Sequence, residues 1–282
     1  MIGAMHLSRP TPAPADPHLH HTVEAHTERR PSHRRGLAIL TACIGAFLAF
    51  LDTTIVNTAF PSLAASFPGA SRADLSWSLD AYFIVIAALI VPAGGFADRL
   101  GRKRVVLTGL LLFVAASAAC AAAPNWEALV GARVIQGVGA AIVVPVSLAL
   151  ILPEYPLAGR AAGVATWVAS AALAAAAGPP LGGLLVELSD WRLVFLVNVP
   201  VGVLVAVMAR RTVTESVDHD ARGLPDLGGS ALTIAGLGLL ALAIVEGNGW
   251  GSTSPRVPGA TGLAIVLLAL TARRCVTHPR PI

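Results

Sequence analysis

Charge is scarce in this sequence: 13% of its 282 residues are Asp, Glu, Lys or Arg, against about 25% in ordinary soluble domains. That deficit argues against a globule surrounded by water. Lys103 is the single lysine among 20 basic residues. Aromatic residues make up 5%, which suits close-packed Ala, Gly, Val and Leu helices better than a β-rich sandwich. The three cysteines, Cys43, Cys120 and Cys275, show no CxxC spacing. A disulfide framework or a metal site is therefore not expected, and the cysteines read as small hydrophobes. HExxH, GxSxG, P-loop and dinucleotide fingerprints are also missing, so no enzyme chemistry and no cofactor are indicated. The basic residues are spread over short connections, which argues against nucleic-acid binding.

What is abundant is apolar: 55% of residues are hydrophobic and the mean hydropathy is +0.71. The expected fold class is all-α and integral to a lipid bilayer. Windows of roughly 20 apolar residues, the length a spanning helix needs, occur eight times. They run over Gly36–Ala59, Ser76–Phe96, Val105–Ala123, Trp126–Leu150, Arg160–Leu185, Trp191–Ala209, Leu227–Val245 and Val257–Ala272. The eighth is the shortest. Residues 1–35 differ in kind, holding six histidines and five prolines, and read as a disordered cytoplasmic tail. No apolar stretch precedes the first span, so no cleavable signal peptide is expected.

The connections test the count. With the tail cytoplasmic, 16 Lys and Arg fall on the inner side, and only Arg72, Arg192 and Arg256 on the outer side. One missed helix would scramble that positive-inside split. Trp77, Trp126, Trp191 and Trp250 all fall at outer ends, as interfacial anchors should. A multi-pass protein of the plasma membrane, with its N-terminus inside, follows.

Three ionisable residues interrupt the spans: Asp52, Asp80 and Arg133. A charge at the bilayer centre costs roughly 2.5–3.5 kcal/mol and usually faces a cavity or a partner. Asp52 lies 17 residues past Arg35, about 25 Å of helix rise. Arg133 lies seven residues past Trp126, about 10 Å from that surface. All three occupy the outer half of the membrane, at depths that permit pairing. A carboxylate beside a fixed guanidinium suits proton coupling; a static ion pair is the structural alternative. Asp80 serves equally well as a helix-starting acid. Gln136, one turn beyond Arg133, and Trp167, inside the fifth span, are expected to line the cavity. In the fifth span Ala174, Gly178 and Gly182 form a small-residue stripe, interrupted by Pro179 and Pro180.

These stretches resemble the major facilitator superfamily, in its fourteen-helix drug:proton antiporter branch. G-G-F-A-D-R-L-G-R-K-R matches the superfamily loop between the second and third spans, through Gly94, Asp98, Arg99, Gly101, Arg102 and Lys103. L-V-G-A-R-V-I-Q-G-V-G-A-A resembles the fourth-span motif at Arg133, Gln136, Gly137 and Gly139. A-A-A-A-G-P-P-L-G-G resembles the antiporter motif at Gly178, Pro179, Gly182 and Gly183, with Ala174 in place of an earlier glycine. L-D-T-T-I-V-N-T-A-F-P, W-R-L-V-F-L-V-N-V-P-V-G and the D-L-G-G at Asp226 favour the fourteen-helix branch. The likeness covers about residues 36–275.

The resemblance implies a six-helix domain over 36–210, a cytoplasmic loop over 211–226, two linker helices over 227–273 and a cytoplasmic end over 274–282. It implies a proton-coupled multidrug efflux antiporter, driven by the proton gradient without a cofactor, acting on small amphipathic or cationic drug-like substrates. Asp52 and Arg133 would serve proton coupling, and the Asp98–Arg102 loop would latch the cytoplasmic gate or simply hold orientation. A complete member continues into a second six-helix domain. Alternating access moves one half against the other, so a truncated or split product, an incomplete sequence or a half-transporter with a partner chain are the alternatives. Truncation is preferred. A non-transporting membrane fragment is the alternative function.

Overall fold

The computed structural model describes residues 32–217, 226–250 and 254–277. Among them all regular structure is helical: α1 Ser32–Ser66, α2 Arg72–Leu100, α3 Arg102–Ala121, α4 Trp126–Ile151, α5 Arg160–Leu188, α6 Arg192–Leu196, α7 Asn198–Thr212, α8 Leu227–Trp250 and α9 Arg256–Thr277. Eight helical stretches are long and apolar enough to cross a membrane, with α6 and α7 forming one. All eight expected spans are there, and the short eighth window grows into a helix of 22 residues. Most of the tail expected over 1–35 lies outside the described residues; residues 32–35 already belong to α1. In the expected 211–226 connection, Arg211 and Thr212 finish α7, 213–217 are extended, and 218–225 lie outside the described residues.

Helix ends follow capping chemistry rather than hydropathy. Ser71 caps α2 in a reciprocal box: its hydroxyl accepts from Asp74 N at 3.1 Å and its own N–H donates to Asp74 Oδ2 at 2.9 Å. The helix therefore starts before the apolar window does. Asn125 caps α4, accepting from Ala128 N at 2.8 Å. Pro61, Pro92 and Pro145 sit inside α1, α2 and α4, as spanning helices tolerate when neighbours satisfy the freed carbonyls.

The packing is a pair of three-span units. α1 lies along α5 while α2 lies along α4; α3 lies along α4 while α1 lies along α6 and α7. Exchanging the first three spans for the second three maps each of these contacts onto its counterpart, an internal repeat of two three-span units. Buried side chains stack in layers. Ile55, Leu63, Leu75, Leu129 and Phe195 fill one end, Leu48, Tyr82, Phe113 and Ala140 the middle, and Val106, Leu110, Val143 and Val205 the other end. Trp191 departs from its expected role as an interfacial anchor. It is fully buried in the first layer, against Phe67 and Phe195. α8 and α9 form an antiparallel hairpin beside α2. Asp226 explains the D-L-G-G start: it accepts from Gly229 N at 2.9 Å as the cap of α8 and from Arg274 Nε at 2.6 Å, joining both helices.

Candidate functional site

Three helices meet at one carboxylate. Asp52 of α1 is fully buried, as are Arg133 and Gln136 of α4 and Asn198 of α7. Arg133 Nη1 donates to Asp52 Oδ2 at 2.5 Å. Gln136 Nε2 and Asn198 Nδ2 donate to Asp52 Oδ1 at 2.9 and 2.8 Å. Gln136 is itself tied on both sides, accepting from Arg133 Nη1 at 2.6 Å and donating to Ser117 Oγ of α3 at 2.8 Å. Arg133 Nε donates to the Ser78 carbonyl of α2 at 2.7 Å. The guanidinium also lies 3.9 Å from the centre of the fully buried Tyr82 ring, a cation–π contact. One arginine thus reaches α1, α2 and α4 together, and one carboxylate gathers α1, α4 and α7. Buried pairs persist only when each charge is hydrogen-bonded as well as paired, and here the carboxylate meets that condition through three donors.

The glycines of the fifth span face the same helix α1, just beyond Asp52. A methyl added at Gly178 would overlap the Thr54 hydroxyl, and one at Gly182 would press on the Ile55 carbonyl and Thr58. Ala174 is fully buried in the same seam, with its carbonyl 3.5 Å from the Thr54 hydroxyl that donates to it. Gly183 faces open space and Pro179 is exposed, so the motif has a packed side and an outward side. Trp167, further along α5, donates from Nε1 to Ser147 Oγ at 2.9 Å and meets Phe50 edge-on at 5.7 Å.

The basic motif is a corner rather than a loop. Gly94, Asp98 and Arg99 are within α2, Arg102 and Lys103 are within α3, and Gly101 alone makes the turn. Its φ of 103° lies in the region glycine adopts without steric cost. Arg102 grips Asp98 through Nε at 2.8 Å and Nη2 at 2.7 Å. Arg102 Nη1 donates to the Ala149 carbonyl at 3.4 Å, and Lys103 Nζ to the Arg210 carbonyl at 2.7 Å. Both cations sit where carbonyls of α4 and α7 run out of helical partners. The extended segment after α7 folds over the corner: Lys103 N donates to Glu215 Oε1 at 3.1 Å and Arg102 N to the Ser216 carbonyl at 3.1 Å.

The structure brings Asp52, Arg133 and Gln136 into one cluster. Asp80 is half-buried two residues from Ser78 and takes no part in these contacts. Gln136 lies within the cluster rather than on an open wall, and Trp167 is half-buried between α1 and α4. Asn198, Tyr82, Ser117 and Glu215 were not singled out from sequence. Asn198 carried a signal, an amide in the middle of an apolar span. Glu215 carried none.

The site thus lies in a helical bundle built to cross a membrane, with a fully buried ion pair at the junction of its two three-span units. The family follows from comparison: the Major Facilitator Superfamily profile matches residues 42–272, and the chain belongs to that superfamily. It is 34% identical over 249 residues to a methylenomycin A resistance protein of Bacillus subtilis, covering 88% of this chain and 53% of the relative. It is 40% identical over 219 residues to multidrug resistance protein Stp of Mycobacterium tuberculosis, covering 77% and 40%. The chain thus spans about half the length of the curated relatives it matches. Among solved structures, the peptide transporter POT in complex with sulfate superposes with a TM-score of 0.63 at 18% identity, covering 92% of this chain and 56% of that one. A bacterial homologue of the lysosomal transporter Spinster, inward-facing, gives 0.59 at 18%, covering 89% and 65%. At such identity these two speak for the fold alone.

Proposed function

We propose that this chain forms one half of a proton-driven exporter of small amphipathic or cationic compounds in the plasma membrane, with its arginine-rich end cytoplasmic. The carrying observation is the buried Asp52–Arg133 pair, which ties three helices through a single carboxylate. A proton on Asp52 removes its attraction for Arg133. It also sets a hydrogen where a donor already points, since all three partners donate. At least one tie must then open, so protonation and the separation of α1 from α4 and α7 are linked. The Tyr82 ring and the Ser78 carbonyl keep the guanidinium in place meanwhile. Such a differential set of contacts is what lets a proton bias two arrangements of the bundle. The corner at Gly101 supports a gating role, because Arg102, Lys103 and Glu215 join α2, α3, α4 and the end of α7 at one point. The names of the relatives, resistance to methylenomycin A and to multiple drugs, support an export direction.

The test is substrate-dependent proton movement in everted vesicles from cells expressing the chain together with the missing half of a long relative. Asp52→Asn abolishes it while the protein still reaches the membrane; unchanged movement in that variant refutes the proposal. That this half works only with further helices is favoured by the length of the relatives, about twice that of this chain. It predicts no movement from the chain alone and recovery on co-expression with the missing half of a long relative.

A further inference from the structure

Where α2, α3, α4 and α8 meet, the surface opens into a groove of about 510 Å³. Leu89, Pro92, Ala93 and Phe96 of α2 wall one side, Ile142 of α4 the back, and Ile234 of α8 the far side. The walls are almost wholly apolar and the groove is partly open, so in a bilayer it faces hydrocarbon. Its length has a natural measure. From Leu89 to Leu100 along α2 is about 16 Å of rise, close to half of the roughly 30 Å hydrocarbon thickness. One leaflet's acyl chain fits that span. At the end marked by Leu100 the lining becomes cationic: Arg104 closes the groove with a side chain 81% exposed. Arg104 Nε faces Glu215 Oε2 at 3.6 Å, a long contact that leaves its outer face to solvent. Arg104 is the one charged residue of the lining, and the neighbouring Asp98 and Arg102 are paired with each other.

We infer that this groove binds an anionic diacyl phospholipid from the leaflet at the arginine-rich end, one acyl chain between α2 and α8 and the phosphate on Arg104. Basic pockets between spanning helices are where anionic headgroups settle, and the apolar trough beneath Arg104 supplies what a surface arginine lacks. The lipid would join the hairpin of α8 and α9 to the bundle, filling space that no side chain occupies. The inference requires only that the chain sits in a bilayer, and is independent of proton coupling.

Two variants separate head from tail. Arg104→Gln removes the phosphate partner. Thr108→Phe, at an exposed position on the groove wall, fills the trough. The purified full chain is titrated with phosphatidylglycerol and, separately, phosphatidylcholine, and lipid retained per chain is read by native mass spectrometry. The expected result is one tightly held phosphatidylglycerol, preferred several-fold over phosphatidylcholine. Arg104→Gln should abolish the preference, and Thr108→Phe should lose both lipids while circular dichroism stays unchanged. Equal retention of the two lipids by the unmodified chain overturns the inference, as does an Arg104→Gln variant that keeps the preference. Chain dimers that displace lipid, and that Thr108→Phe disrupts, would assign the groove to a second copy and overturn it too.

Discussion

Asp52→Asn is the most searching perturbation of the buried cluster. The native carboxylate only accepts: Oδ2 from Arg133, Oδ1 from Gln136 and Asn198. An amide in its place must turn its NH₂ toward Arg133 or toward the other two, and either choice sets donor against donor. Arg133 meanwhile stays cationic and fully buried. Removing one member of a buried pair costs about 3–5 kcal/mol because the survivor is uncompensated. A lost interhelical hydrogen bond alone costs about 0.6 kcal/mol in a membrane protein, and rarely over about 1.7. The two accounts therefore predict different sizes. A double variant, Asp52→Leu with Arg133→Leu, removes both charges and leaves mainly the Asn198 amide without its acceptor, a cost of about 1–3 kcal/mol. Equilibrium unfolding of purified variants in mixed micelles, followed by far-ultraviolet circular dichroism, measures both. Asp52→Asn should lose about 3–5 kcal/mol, and the double variant should lose less. A loss below about 1 kcal/mol for Asp52→Asn, or a double variant less stable than the single, refutes the reasoning.

Three further expectations follow from named contacts. Gly178→Val, which must overlap Thr54, should cost about 1–3 kcal/mol by overpacking, partly recovered by Thr54→Ala, whereas Gly183→Ala meets open space and should leave the same micelle unfolding curve unmoved. Gly101→Val puts a β-branched residue at φ 103° against the Glu215 carboxylate. A strain of about 1–3 kcal/mol should show as faster proteolytic cleavage between α2 and α3 in detergent, and unaltered cleavage would count against the corner. For orientation, the exposed Cys275 beside Arg273 and Arg274 should react with a membrane-impermeant maleimide only from the cytoplasmic side. A Glu187→Cys variant should react only from outside; the reverse pattern inverts the topology.

Hydropathy located every span because the bilayer imposes one length and one polarity on each crossing. It misplaced the ends, since α1 continues to Ser66 and α2 begins at Arg72, where water replaces lipid and caps decide. The ion pair was legible for the same reason that it is expensive: Asp52 and Arg133 break apolar runs, and their depths agreed. Asn198 and Tyr82 escaped notice because an uncharged amide or phenol scarcely disturbs a hydropathy window. Glu215 could not be found at all. Its partners Lys103 and Arg104 are more than a hundred residues away, and nothing local distinguishes it from any acid in a polar connection.

The two motif-bearing contacts of α1 are not independent. Asp52 faces α4 and α7, while Thr54, Ile55 and Thr58, within the next two turns, receive the glycine face of α5. The first contact is polar and is the one that a proton would open in the proposed function; the second is steric, made of backbone brought close by missing side chains. A helix held on one side by a switchable tie and on the other by a permanent one moves with its permanent partner. On the proposed function, opening the Asp52 cluster would therefore shift α1 and α5 together against α4 and α7, and the small-residue stripe of the fifth span would determine which helices travel with the carboxylate.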